Sequence, residues 1–411
     1  RTEIQRLLEV ARLGPQRNLE GIGAAEFAGS LARAAEVWEP EAPARPKLMM
    51  LAAQADQLLA QGNHEAGLAV ALRLREQGAG LGEEAFVALG HWHAGAILTV
   101  TLNPQEAEGH LRCVLDWLTP ERSVEVRAAI GFDLAPAALV FSAVNQWMLG
   151  HWERAADRNE QALAGAIARG DLYGQAFASA VGALALFLLR AEGAAMKERT
   201  ERCHQLCQQH GFSMWRAYAE VFQGRLMVVA GEDAGIERMR GAIAAWQAAG
   251  LAIGAIGLLV VLVDSCLLAA SRRAGKRDEE DASGAIARDN LLATGLETIE
   301  AVLGPGKAAS GLAYEPELYR LRGELLSARD GLAATEEALA CFQKAMELGR
   351  EKGALAWELR AAMSVVRLRL QQGDAHAADL AAARARLREM YGRFTEGFAF
   401  QDLQEAAALI P

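Results

Sequence analysis

Apolar residues recur along this chain three and four positions apart, the spacing that gathers them on one face of an α-helix. The clearest case is Glu336–Gly353, EEALACFQKAMELGREKG, where Ala338, Phe342 and Ala345 share a face, small, large and small in turn. Such a face lets a neighbouring helix approach closely at both ends while Phe342 fills the gap between. The helix expected before it, Glu317–Arg329, carries Gly323 at the crossing. The same grammar returns elsewhere. Gly150 is followed by Ala155 and Ala162, and Gly373 by Ala378 and Ala385, with equal offsets, while Gly95 and Ala107 stand twelve apart. No segment alternates with period two for long enough to be a strand.

Read in order, the pattern predicts an opening pair, Thr2–Leu13 and Ala24–Val37, as capping helices within residues 1–38, then a break at Glu39–Pro46. Residues 47–391 read as stacked hairpins. They are Leu48–Gln61 with Glu65–Gln77, Glu83–Leu102 with Gln105–Leu118, Ala137–Leu149 with Trp152–Arg169, and Asp171–Arg190 with Ala194–Gln209. Ser213–Ala230 with Asp233–Ala249, Leu251–Ala270 with Asn290–Leu303, Glu317–Arg329 with Glu336–Gly353, and Leu355–Gln372 with Asp374–Tyr391 complete the series. Thr119–Pro136 is expected to be a long irregular connection, and the charged stretch 271–289 an inserted, mobile loop. Residues 392–411 form a closing segment with a short helix, Gln401–Leu409.

The turn landmarks Gly62, Leu102, Gly150, Gly193, Gly231 and Gly373 fall about 40 residues apart where hairpins adjoin, longer than the 34 of a standard tetratricopeptide (TPR) repeat. HEAT-like repeats share the longer period, but the Gly/Ala grammar favours TPR. The expected fold is all-α: a TPR-like α-solenoid, a right-handed superhelix of antiparallel hairpins. Three segments carry a further likeness: ELYRLRGELL (Glu317–Leu326), ACFQKAMELGREKGALAWELRAAMSVVRL (Ala340–Leu368) and FTEGFAFQDLQEAAALI (Phe394–Ile410). With GFSMWRAYAEVFQGRLMVVAGE (Gly211–Glu232) and LVFSAVNQWMLGHWERA (Leu139–Ala155), the chain resembles, from about Leu51 onward, the C-terminal TPR region of a bacterial family. Those are large multidomain proteins with an AAA/STAND-type ATPase module, preceded by a class III adenylate/guanylate cyclase, winged-helix DNA-binding or kinase domain. The resemblance implies a regulatory and interaction region, with the cyclase and ATPase motifs on N-terminal domains outside this sequence. The charged insertion and the weak opening hairpin depart from the family's pattern.

Composition narrows the partners. The net charge of -10 and pI near 5.5 argue against a general nucleic-acid or anionic-membrane surface. Five scattered cysteines make no disulfide framework and fit a reducing cytoplasm. Leu251–Ala270 is long enough to span a bilayer and carries a single charge, Asp264. Helices in register on both sides predict instead a helix buried inside the stack, with no membrane involved. The chain opens on Arg1, not Met, which fits a piece of a longer polypeptide.

Catalytic and metal motifs are weak. GPGKAAS (Gly304–Ser310) lacks the first glycine and the Ser/Thr after lysine that a phosphate loop needs, and follows a helix. Cys203, Cys207 and His210 share a helical face but offer no fourth ligand for zinc. His91 and His93 diverge from one helix and cannot chelate. Neither enzymatic chemistry, a cofactor nor a bound metal is therefore expected.

Helix phase supplies the candidate site. With Gly95, Ala143, Gly224 and Gly323 at the close crossings, Trp92, Trp147, Tyr218, Arg225, Arg320 and Glu324 face the concave groove, and Gly373 sets Arg360 and Arg367 facing inward. The expected role is binding a protein, peptide or small-molecule effector in that groove, thereby controlling the attached output domains. A structural or homo-oligomeric arm is the alternative. Narrow aromatic pockets would indicate a small molecule, an open groove with a charged ladder a peptide, and an apolar outer face on a terminal hairpin an oligomer.

Overall fold

The computed structural model describes residues 21–36, 44–275, 282–304, 312–373 and 376–410, with Leu13 and Asn18. Among them helix accounts for 84% and no strand occurs, far above the roughly one-third helix of ordinary domains. The first expected helix, Thr2–Leu13, lies almost wholly outside the described residues.

Helix α1 (Ala25–Glu36) precedes a stack of antiparallel hairpins. The first two are α2–α3 (Ala44–Ala60, His64–Gly80) and α4–α5 (Glu84–Val100, Pro104–Trp117), followed by the unpaired α6 (Pro120–Ile130). Next come α7–α8 (Leu134–Met148, Trp152–Ala168), α9–α10 (Leu172–Leu188, Ala194–His210) and α11–α12 (Ser213–Ala230, Ala234–Ala248). The last three are α13–α14 (Ala255–Gly275, Ala282–Leu303), α15–α16 (Glu315–Asp330, Thr335–Glu351) and α17–α18 (Leu355–Gln371, Ala377–Tyr391), closed by α19 (Gln401–Leu409).

Small residues set how closely each pair packs. A Cβ on Gly323 would sit 2.5 Å from the Phe342 ring, and one on Gly95 2.7 Å from Leu111. Backbone meets backbone where α11 crosses α12: a Cβ on Gly224 would lie 2.6 Å from the Gly235 carbonyl oxygen. Alanine at 224 would gain about 1 kcal/mol of helix propensity. The backbone clash should outweigh it, for a net loss of about 1–3 kcal/mol in chemical denaturation. A Gly224→Ala protein as stable as wild type would mean the two backbones do not meet there.

Two connections differ from expectation. Thr119–Pro136 is largely helix. The Thr119 hydroxyl accepts from the Arg122 amide at 3.3 Å, Pro120 occupies the first turn, and Gly131 closes α6 at φ 85°. Only Ser123, Val126 and Ile130 of α6 are buried, so its charged outer face hid the periodicity. The chain then bends by 104° into α7. In the charged stretch 271–289, α13 runs on to Gly275 and α14 starts at Ala282, leaving 276–281 outside the described residues. At the end of α13, Arg272 donates to the Val229 carbonyl at 2.7 Å and Arg273 to Asp233 at 2.7 Å. Helix α13 is long and apolar enough to cross a membrane, but most of that apolar stretch is buried, packed against α11, α12, α14 and α15.

The larger finding is that the stack closes on itself. The Ala252 amide, at the entry to the sixth hairpin, donates to the Ala60 carbonyl of the first at 2.7 Å. The Ala313 amide, entering the seventh, donates to Val100 of the second at 3.0 Å. Trp147 of the third meets Trp357 of the eighth edge-on at 4.4 Å, and Arg154 pairs with Glu396 beyond it at 3.1 Å. Five hairpins thus complete a turn, and successive turns touch. Inward-facing side chains fill the space that a wider superhelix would leave as an open groove.

Candidate functional site

Two different interiors result from this closure. The first is a cavity with a largely aromatic lining, drawn from the first helices of successive hairpins: Trp92 on α4, Phe141 on α7, Tyr173 and Phe177 on α9, Trp215 and Tyr218 on α11. Phe132, Trp246 and Tyr314 complete it. The rings meet largely edge to face, as in Phe177–Trp215 at 4.7 Å and Tyr218–Trp246 at 5.1 Å, which fixes the walls. The cavity leaves about 90 Å³ for the centres of water-sized spheres, within about 910 Å³ of atom-free space that includes space open to solvent. One water needs only about 10–15 Å³ by the first measure, so there is room for several waters or a small organic molecule.

Polar groups on the lining are few. Thr99 donates to the Gly95 carbonyl and accepts from Asn145, each at 2.7 Å, and the Trp246 indole donates to the Ile253 carbonyl at 2.9 Å. By contrast, the indole N–H groups of Trp92 and Trp215 are buried without a hydrogen-bond partner. Burial pushes the Tyr218 phenol up, and burial with the neighbouring Tyr218 does the same to Tyr314, so both stay protonated donors. Among the described lining residues Asp56 is the one carboxylate. Its Oδ1 lies 2.9 Å from His93 Nε2, while His93 Nδ1 faces the Leu89 carbonyl at 3.0 Å.

The second interior is ionic. Arg225 grips Glu192 through two hydrogen bonds of 2.6 and 2.8 Å and reaches Asp264 at 2.9 Å. Arg320 does the same to Glu317, with two bonds of 2.8 Å, and reaches Glu324 at 3.2 Å. Arg360 donates to Asp402 of α19 at 2.6 Å and to the Leu188 carbonyl at 2.5 Å, across the turn boundary. Arg190 joins Asp402 at 2.7 Å, off the hydrogen-bond direction. Its backbone takes φ 52°, which glycine would adopt with less strain; the guanidinium on Asp402 supplies a reason for arginine there. Four guanidinium groups therefore meet five carboxylates, Glu192, Asp264, Glu317, Glu324 and Asp402. Burial alone would push Asp264 and Asp402 up. The surrounding arginines, Arg225 foremost for Asp264 and Arg360 for Asp402, outweigh it and hold both below the usual carboxylate value.

The residues expected to face the groove fall into different settings. Trp92 and Tyr218 line the cavity. Trp147 lies in the seam between turns, with Arg360 over its face at 4.8 Å. Arg225, Arg320, Glu324 and Arg360 belong to the ionic interior, and Arg367 pairs with Glu405 near the surface. Each of these arginines already faces a carboxylate of this chain. Phe141, Tyr173, Phe177, Trp215, Trp246 and Tyr314 were the cavity residues not anticipated. The i, i+3 and i, i+4 spacings of Trp215 with Tyr218 and of Tyr173 with Phe177 were the available signal.

Among the described residues no group of three or more His, Cys, Asp or Glu side chains is arranged to hold a metal. Cys203 is fully buried, its Sγ 3.6 Å from the Trp215 carbonyl oxygen. Most of GPGKAAS lies outside the described residues. No protein-family model matches the chain, and no curated protein matches it in sequence.

Proposed function

We propose that this chain is a non-catalytic regulatory repeat region that binds a small-molecule effector in the aromatic cavity. The observation that carries this reading is the cavity itself, a concave space walled by aromatic and aliphatic side chains with few polar groups among them, the character of small-molecule sites. A peptide groove with a ladder of available charges is less well supported, because the inward arginines are neutralised internally. The lining joins α4 in one turn to Tyr314 in the next, so an occupant would tie the two turns together. Binding would favour the closed stack over any looser one and pass that bias to attached domains. The resemblance to TPR regions of bacterial signalling ATPases makes a cyclase-, winged-helix- or kinase-linked ATPase the expected context, with this region in the cytoplasm and itself inert toward ATP.

The test is a screen of small aromatic and alicyclic compounds by tryptophan fluorescence and thermal melting. A true effector at 100 times its Kd should add about 2.7 kcal/mol of stability. Tyr218→Ala should weaken it by about tenfold or more while Arg367→Ala leaves it unchanged. Failure of every compound to raise the melting temperature, alongside saturable binding of an acidic peptide, would overturn the reading.

A further inference from the structure

The reading of the cavity as an effector site leaves its ligand's chemistry open, and the wall restricts it. Among the described residues no lysine, arginine or histidine lines the cavity, and the carboxyl group on its wall, that of Asp56, already lies 2.9 Å from His93 Nε2. A buried anion there would meet no counter-charge from the described lining and would face the Asp56 carboxyl, a costly arrangement. Two indole N–H donors, on Trp92 (6% exposed) and Trp215 (4% exposed), are buried and unsatisfied. An unpaired buried donor is expensive, and a ligand supplying an acceptor would relieve that expense. A cationic amine offers these indoles only further donors, although the rings alone would suit one. We infer, resting on the cavity reading above, that the cavity takes an uncharged, compact ring molecule bearing a carbonyl or similar acceptor oxygen. The hydrocarbon part fills the space between Phe141, Phe177 and Tyr218, and the oxygen accepts from Trp92 or Trp215.

Four probes with one ring system separate the possibilities: 2-acetonaphthone, 2-ethylnaphthalene, 2-naphthoate and 1-(2-naphthyl)ethylammonium, titrated by calorimetry against the whole chain. The ketone should bind several-fold to about tenfold more tightly than the hydrocarbon, the span of one net hydrogen bond. The naphthoate should be at least about a hundredfold weaker than the ketone. Trp92→Phe or Trp215→Phe, each keeping a ring but removing an N–H, should bring ketone affinity down to that of the hydrocarbon in at least one case. The hydrocarbon's own affinity for the same variant should stay within about twofold, which also reports that the variant has folded. Equal affinity for ketone and hydrocarbon, or tightest binding of the naphthoate or the ammonium, would overturn the assigned class while leaving a small-molecule cavity in place. Binding of none of the four would remove the cavity reading and this inference with it.

Discussion

Arg320→Ala should destabilise the chain by about 3–5 kcal/mol, the usual loss when one member of a buried ion cluster is removed. Arg320 is 4% exposed and is the nearest cation to Glu317, with Arg360 standing farther off at 3.7 Å. Without it, three guanidinium groups would remain against five carboxylates. Two controls make the result specific. Arg367→Ala, which removes the pair with Glu405 near the surface, should cost no more than about 1 kcal/mol. The double change Arg320→Met with Glu317→Leu should recover much of the loss, since an apolar pair of similar volume avoids the stranded charge. Acid should act on the same cluster. Asp264 and Asp402 have carboxyl groups held below their usual value, so their contribution is complete above the unfolded-state pKa and is lost as pH falls through the lower folded one. Denaturation curves at neutral pH and in acid would report all three effects. A loss under about 1 kcal/mol for Arg320→Ala would mean the cluster is solvated and the interior open.

The seam between turns gives the second large effect. Trp147→Ala should cost about 3–5 kcal/mol, because the side chain is buried against Trp357 and Trp152 with Arg360 over its face. Part of that loss should be local. Amide exchange should rise at Gly150 and Leu355, where a Cβ on the glycine would come within 2.9 Å of the leucine side chain. Effector affinity should fall only as far as closure itself is weakened, because Trp147 does not line the cavity. Wild-type stability with unchanged exchange would show that the two turns do not meet at this point. A large loss of affinity with normal stability would return Trp147 to the ligand site.

The sequence by itself determined the local architecture, because helical period and hairpin packing depend on residues three, four or about twenty positions apart. Gly323 opposite Phe342, Gly95 opposite Ala107 and the turn at Gly150 were readable from their spacing, and the burial of Trp92, Tyr218, Arg225 and Arg320 agrees with the phase set by the same crossings. Helix α6 escaped because three buried positions among charged neighbours give little periodic signal. How tightly the stack winds is not written in any one segment. The contacts that close it join residues far apart in the chain: Arg360 to Leu188 spans 172 positions, Arg154 to Glu396 spans 242, and Gln105 to Gly353 spans 248. They arise from a small rotation between neighbouring hairpins that accumulates over five of them, and no local pattern encodes that sum. A slightly smaller rotation would leave the same inward residues around an open groove. At the rotation adopted, the arginines find carboxylates of their own chain and the aromatic rings enclose a cavity.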